Sequence, residues 1–314
     1  MRIVSLLPAA TEIVCALGLE DQLVGVTHEC DYPATVRGLP RVTRSLISVA
    51  ASSGEIDRVV RERVQAQQAL YTLDLPLLQA LRPDLIVTQA LCDVCAVAED
   101  EVQAVACALP GAPRVLDLAP QTIHEVFDGV RQVARATGME RHGDDVVQAL
   151  TARVDAVARR SAFVRARPRV AFLEWLDPPF SSGHWTPELI RLAGGIEGLG
   201  HEGKKSRTLR WEEVIAWHPE VVVIACCGFD VERTLGELAV VRSLDGWDAL
   251  PAVRDERVYV MDGSQYFSRP GPRLVDSLEL LAYALHPDLH PLPSNLLQPV
   301  RLKRAVAPVY HAAD

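Results

Sequence analysis

The sequence predicts a two-lobed α/β protein, each lobe a mostly parallel sheet covered by helices, with a long helical segment joining the lobes. Three observations carry this. Short apolar, β-branched runs alternate with helical patterns through residues 2–118 and again through residues 169–285. A long amphipathic stretch without strand signals separates the two series. The series also echo one another: RPDLIVTQALCDVC from Arg82 and HPEVVVIACCGFDV from His218 each place a proline and an acidic residue before a strand-like run and a cysteine-bearing loop. RIVSLLPAATEIVCALG from Arg2 and RVAFLEWLDPPFSSGHWTPELIRLAGG from Arg169 correspond in the same loose way.

In chain order, Arg2 to Leu6 reads as a buried strand that enters a helix through Pro8, a residue suited to a first helical turn. Strands follow at Gln22 to Thr27, Asp84 to Thr88 and Arg114 to Leu118, with helices at Glu55 to Tyr71 and Val97 to Leu109. This closes an N-terminal lobe at residues 1–120. Residues 121–168 link the lobes. Thr122 to Thr137 and Glu140 to Val164 are periodic and separated or bent near Gly138, and Val146, Val147, Leu150, Val154 and Val157 mark one packed face. The second stretch, about 25 residues, would run roughly 37 Å as a helix. A C-terminal lobe at residues 169–286 takes strands at Arg169 to Glu174, Glu220 to Ala225 and Arg257 to Met261, and helices at Pro187 to Ala193, Trp211 to Trp217 and Pro272 to Leu285. HPDLHPLPSNLLQP, from His286, is too proline-rich for a regular element, so residues 287–314 are expected to wrap the surface as a tail.

The 314 residues are 49% apolar, enough for substantial cores. A net charge of -9, without a long block of Lys or Arg, excludes a broad nucleic-acid surface or an anionic membrane surface as partner. No run reaches the roughly 18–20 apolar residues of a transmembrane segment. Met1 and Arg2 lead straight into the first strand without the three-part pattern of a signal peptide. As the sequence stands this predicts a soluble, cytoplasmic protein; a periplasmic or cell-surface place is the alternative if a leader was removed. GxSxG, HExxH, GxxxxGK[ST] and GxGxxG are all missing, so an enzyme is not expected.

Six loops carry chemistry that a plain fold does not require. They are Thr27 to Pro33, Thr88 to Ala96, Glu174 to Trp185, Gly203 to Trp211, Ala225 to Asp230 and Asp262 to Arg273. Four follow strands, at the carboxyl ends where open α/β sheets take ligands. Trp175, Trp185, Phe229, Tyr266 and Phe267 offer faces for a large organic ligand, and His28, Asp31, Gln89, Asp93, Glu174, His184 and Arg269 offer directional contacts. The bland alternative is that the aromatics close loop cores. Cys92 and Cys95 supply half of a four-donor zinc or iron site, which Cys30, Cys226, Cys227 or His28 completes only if the lobes bring them together. Adjacent Cys226 and Cys227 diverge in an extended chain, and Cys15 and Cys107 fall in apolar helical patterns that read as core. An enzyme reading would make Cys92 a nucleophile beside Asp93, with His28 or His184 as base.

RIVSLLPAATEIVCALGLEDQLVGVTHECDYP at the start, RPDLIVTQ at residues 82–89, the central helical segment and WEEVIAWHPEVVVI at residues 211–224 resemble the vitamin B12-binding substrate-binding proteins of bacterial ABC importers. The resemblance runs from Met1 to about His286. HECDYP (28–33), TQALCDVCA (88–96), EWLDPPFSSGHW (174–185) and YFSRPGPR (266–273) are similar to the loops of a branch often labelled cobalamin-binding. The resemblance implies two lobes on a rigid helical backbone with limited hinge movement, cobalamin or a related corrinoid held noncovalently between them, and an ABC permease as partner. It implies further that the aromatic loops pack the corrin faces, that Arg269, Glu174 and Asp93 meet its polar rim, and that His28 or His184 is directed to cobalt. Two departures leave a cytoplasmic carrier, a sensor or an enzyme as alternatives: the chain begins in its first strand, and its loops carry cysteines that ordinary B12 receptors do not need.

Overall fold

The computed structural model describes residues 1–48, 50–66, 68–89 and 99–303. The N-terminal lobe runs β1 (Ile3–Ser5), α1 (Pro8–Ala16), β2 (Leu23–Gly25), β3 (Thr43–Ser45), α2 (Ser53–Gln65), β4 (Tyr71–Leu73), α3 (Leu75–Leu81), β5 (Leu85–Thr88), α4 (Glu99–Ala108) and β6 (Arg114–Asp117). Its main sheet is parallel in the order β2-β1-β5-β6. All four residues of β5 are buried, because helices cover both faces of the sheet. Alternation along β1 sends Ile3 to one core and Val4 to another on the opposite face. Outside this sheet, β3 and β4 pair antiparallel and carry α2 between them as an excursion. The helix predicted to reach Tyr71 stops at Gln65, since Tyr71–Leu73, aromatic and β-branched, is claimed by pairing with Thr43–Ser45. Its start is set by a reciprocal capping box of Ser52 and Glu55.

Two helices, α5 (Ile123–Thr137) and α6 (Glu140–Ser161), form the linking segment. They make an antiparallel hairpin about the break that the sequence places near Gly138. Gly138 turns the chain at φ +72, capping α5 in the left-handed conformation that glycine adopts without strain. Ala134 and Gly143 then face each other so closely that a Cβ on Gly143 would overlap Ala134, and Arg131 Nε reaches Asp144 at 3.3 Å. One arm, α5, packs on α1; the other, 22 residues or roughly 33 Å long, packs on the C-terminal lobe.

That lobe runs β7 (Arg169–Leu176), β8 (Pro179–Ser181), α7 (Thr186–Leu192), β9 (Ile196–Glu197), α8 (Trp211–Trp217), β10 (Val221–Ile224), α9 (Val231–Arg242), α10 (Pro251–Arg254), β11 (Val258–Val260), α11 (Leu274–Leu285) and β12 (Val300–Leu302). Its sheet has the order β12-β11-β10-β7-β8, with β9 also on β7. The interior is parallel, and β8 and β12 are antiparallel edges. Residues 286–299 carry no helix or strand, with His290 and Leu296 buried, and the chain then returns as β12. The two-lobed α/β architecture predicted from the sequence is thus present. A single apolar cluster runs from Ile3 and Ile13 through Val126, Val130, Leu150 and Val154 to Phe267 and Leu278, so the lobes and the hairpin share one core. No helix among the described residues is long and apolar enough to cross a membrane.

Candidate functional site

The carboxyl ends of the two sheets meet through buried charge. Glu12 on α1, with 2% of its side chain exposed, accepts two bonds from Arg273 at the start of α11, at 2.6 and 3.0 Å. Arg269, in the loop after β11, donates to Asp31 in the loop after β2 at 2.5 Å and reaches Glu12 at 3.5 Å and Ser264 Oγ at 3.3 Å. The ring of Tyr32 lies 4.0 Å from the Arg273 guanidinium carbon. Burial alone would push the Asp31 carboxyl up, but the bond and charge of Arg269 outweigh it and hold Asp31 below its usual range. Arg269, expected at a ligand rim, is thereby committed to protein carboxylates and only 6% exposed.

A second seam joins α2 to the C-terminal lobe. Trp175 on β7 donates its indole N–H to Ser53 O at 3.1 Å; Ser53 donates its hydroxyl to Glu237 at 2.7 Å; Arg233 donates to Ala51 O at 3.0 Å. Arg233 also lies 3.7 Å from the centre of the Phe229 ring, which packs on Trp175 at 4.9 Å. On the other face of the sheet, Trp185 donates to Phe267 O at 3.0 Å and Phe267 packs on Phe172 at 5.0 Å. All five aromatics expected to offer faces to a ligand, Tyr266 included, are buried in this structure.

The polar side chains fall into two groups. In the C-terminal lobe, Glu174 accepts the Gly183 N–H at 2.9 Å, and its carbonyl accepts the Cys227 N–H at 2.9 Å. Burial pushes the Glu174 carboxyl up to about 8, with Cys227 adding to the rise and the Gly183 N–H, Ser206 and Thr186 offsetting part of it. His184 follows with φ +52, its Nδ1 2.7 Å from Gln121 Oε1 and its ring stacked on Trp185 at 5.4 Å. In the N-terminal lobe, His28 Nδ1 contacts the Thr43 hydroxyl at 2.8 Å and its Nε2 is enclosed without a hydrogen-bond partner. Burial lowers the proton affinity of both rings. Gln89 stands buried at the end of β5.

The cysteines scatter. Cys30 sits between the hydroxyls of Thr11 and Thr27 at 3.1 and 3.3 Å. Cys226 is buried, its thiol pushed up to about 12 by desolvation, whereas its neighbour Cys227 is exposed. Cys107, read as core, is exposed on α4. Cys92, Asp93 and Cys95 lie outside the described residues. Among the described residues no three His, Cys, Asp or Glu side chains gather as a metal site, so the zinc or iron alternative finds no donor set there. Sequence reasoning missed Glu12, Gln121, Ser53 and Glu237. Only Glu12 left a signal, as one acid inside PAATEIVCALG, where a buried charge demands a partner.

Glu174 makes a pH prediction. With a folded-state pKa above the unfolded value of 4.5, its stabilising contribution is complete below pH 4.5 and is lost as pH rises toward 8. Glu174→Gln, a neutral mimic, removes that dependence. Between pH 5 and 8.5 the wild type is expected to lose roughly 1–3 kcal/mol relative to the variant, at about 1.4 kcal/mol per unit less what residual solvent contact screens. Urea midpoints at both pH values measure it, and parallel pH profiles would mean an ionised Glu174.

A family model described as periplasmic binding protein matches residues 3–264. The chain is 24% identical over 298 residues to an uncharacterized ABC transporter substrate-binding lipoprotein, YvrC, of Bacillus subtilis, covering 91% of this chain and 80% of that one. It is 24% identical over 282 residues to the vitamin B12-binding protein of Vibrio cholerae, covering 88% and 86%. Among solved structures, a periplasmic heme binding protein from Pseudomonas aeruginosa superposes with a TM-score of 0.70 at 22% identity, covering 97% of this chain and 99% of that one. These matches overturn the expectation of a cytoplasmic protein, because the matching family and the solved structures that share the fold are periplasmic binding proteins.

Proposed function

The chain belongs to the periplasmic binding protein family, and from that premise we propose that it is the receptor of an ABC importer, holding cobalamin or a related corrinoid noncovalently between its lobes. The observation that carries the reading is the bond from Arg269 to Asp31: it joins the loop after β11 to the loop after β2, so the carboxyl ends of two parallel sheets front one boundary. Curated relatives named as vitamin B12-binding, aligned over 71% to 88% of the chain, support the corrinoid. A corrin rim bears amides, which need donors as well as acceptors. Protonated Glu174 supplies a donor at neutral pH, and Gln89 supplies both. Trp175, Trp185, Phe229, Tyr266 and Phe267 serve as the packed wall behind these groups, His28 stands on the N-terminal side, and the importer's permease takes the loaded receptor.

One observation favours a second reading. Asp31 is half-exposed and bonded to a guanidinium, so a carboxylate on a ligand could take its place on Arg269. Haem, which carries two propionates, fits that exchange, and solved relatives of this fold are haem-binding proteins. Titration of the purified full chain with cyanocobalamin and, separately, hemin tests both, read by calorimetry and quenching of the five tryptophans. A 1:1 complex with cyanocobalamin supports the first reading. Saturation by hemin alone, weakened at least about tenfold in Arg269→Gln on loss of a charged bond worth ~1.5–3 kcal/mol, establishes the second. Binding of neither overturns both.

A further inference from the structure

We propose that the connection between α6 and β7, residues 162–168, is a membrane-docking tip that seats Phe163 and a group of unpaired guanidiniums on an anionic phospholipid surface. The tip lies apart from the lobe boundary, and its docking does not depend on which ligand the lobes hold.

Phe163 is 80% exposed, more than any other large hydrophobic side chain among the described residues. A solitary exposed apolar residue needs no explanation, but this one has company. Ile196, 42% exposed on β9, bonds its N–H to Pro168 O at 2.9 Å. Leu289, 41% exposed, rides on the turn 286–290, whose His290 Nε2 lies 3.2 Å from Ser161 Oγ. Gly194 joins these pieces, since a Cβ there would meet His286 at 3.0 Å and Val164 at 3.3 Å. One aromatic and two aliphatic side chains thus stand exposed on segments fastened to one loop.

Arg159, Arg160, Arg165 and Arg167 fall within nine residues, and all four are exposed. None of them makes a hydrogen bond or an ion pair among the described residues. Complementing the helix dipole accounts for Arg159 and Arg160 in the last turn of α6, but Arg165 and Arg167 lie beyond the helix. Arg169, next in the series, is different, because it pairs with Glu220 at 3.6 Å. Of the acids on the fastened segments, Glu197 is buried under bonds from Ser182 and from the N–H groups of Leu199 and Gly200. That leaves Asp288 to offset four positive charges. The net charge of -9 argues against an anionic surface for the molecule as a whole. At physiological salt, however, a charge is felt over roughly 8 Å, so the tip presents a positive field of its own.

Guanidiniums grip phosphate oxygens in a fork, and the acyl boundary beneath lipid headgroups takes up Phe, Ile and Leu. Nucleic acid or an acidic protein surface would satisfy the arginines but leave the aliphatics in water. Position agrees with a separate role. Strand β7 starts at Arg169, directly after the tip, and its eight residues carry the chain roughly 26 Å to the carboxyl end of the sheet. A receptor seated on this tip therefore turns its lobe boundary away from the bilayer.

Cosedimentation of the full chain with vesicles of phosphatidylcholine, alone or mixed with phosphatidylglycerol, tests the proposal. The wild type is expected to partition onto the mixed vesicles and to be released by high salt. Arg165→Gln combined with Arg167→Gln is expected to weaken partitioning about 30-fold, the equivalent of ~1 kcal/mol for each guanidinium. Phe163→Ala is expected to weaken it at least about tenfold, as loss of a buried aromatic does. Thermal unfolding of the variants, expected to match the wild type because all three side chains are exposed, separates loss of docking from loss of fold. Failure of the wild type to bind mixed vesicles, equal binding to both kinds, or variants that bind as the wild type does would each overturn the proposal. Self-association without vesicles that the same substitutions abolish would give the tip to a second copy of the chain and overturn lipid docking as well.

Discussion

Glu12→Ala is expected to destabilise the protein by about 3–5 kcal/mol, because it strands two guanidiniums in a nearly dry site. Arg273 loses both of its carboxylate bonds, and Arg269 keeps Asp31 together with the weaker contacts to Ser264 Oγ and Glu29 O. The paired change Glu12→Leu with Arg273→Met removes charge from both sides and should recover most of that loss, since a buried ion pair is about as stable as a well-packed apolar replacement. Urea unfolding of the two single variants and the double variant gives the coupling directly. Additive losses would mean that the cluster is hydrated and contributes little. Strong coupling would identify Glu12 as the residue that fixes one sheet end against the other, since its partners lie in a different lobe.

The fold was legible because parallel strands covered on both faces read as unbroken apolar runs, as at Leu85–Thr88 and Val221–Ile224. The linker was legible only in part. Periodicity identifies two amphipathic helices, but it does not distinguish a bend at Gly138 from a reversal. The small residues Ala134 and Gly143, nearly equidistant from that glycine, are what admit the close antiparallel contact. In the loops, polar residues stood out by type, and Asp31, Glu174, His184 and Arg269 do lie at strand ends. Their partners did not stand out. Glu12, Gln121 and Ser53 reach residues more than sixty positions away, and no local pattern encodes such a pairing. The burial of Trp175 could have been read from alternation, since it shares a face of β7 with Ala171 and Leu173. Location failed as an expectation because it rested on the first few residues, whereas the family is carried by residues 3–264.

Trp175 should separate two contributions within one side chain. Trp175→Ala is expected to cost about 3–5 kcal/mol, as deletion of a large buried aromatic does. Trp175→Phe retains most of the packing on Phe229 and removes the indole N–H, which donates to both Ser53 O and Asp177 O at 3.1 Å. Its cost is set by those bonds, about 1 kcal/mol, and it should appear locally. The contacts that hold α2 to the C-terminal lobe are mainly polar, through Ser53, Arg61 and Arg233, with Ile56 as the apolar contribution. A seam built in this way opens without unfolding either core. Hydrogen exchange across Ser53–Gln65 is therefore expected to quicken roughly fivefold in Trp175→Phe, the equivalent of ~1 kcal/mol, while exchange in α6 stays at the wild-type rate. Equal acceleration in both helices would place Trp175 in the shared stability of the fold. Acceleration confined to α2 would make that helix a separable strap across the lobe boundary, the element whose release exposes Trp175 and Phe229 to a ligand.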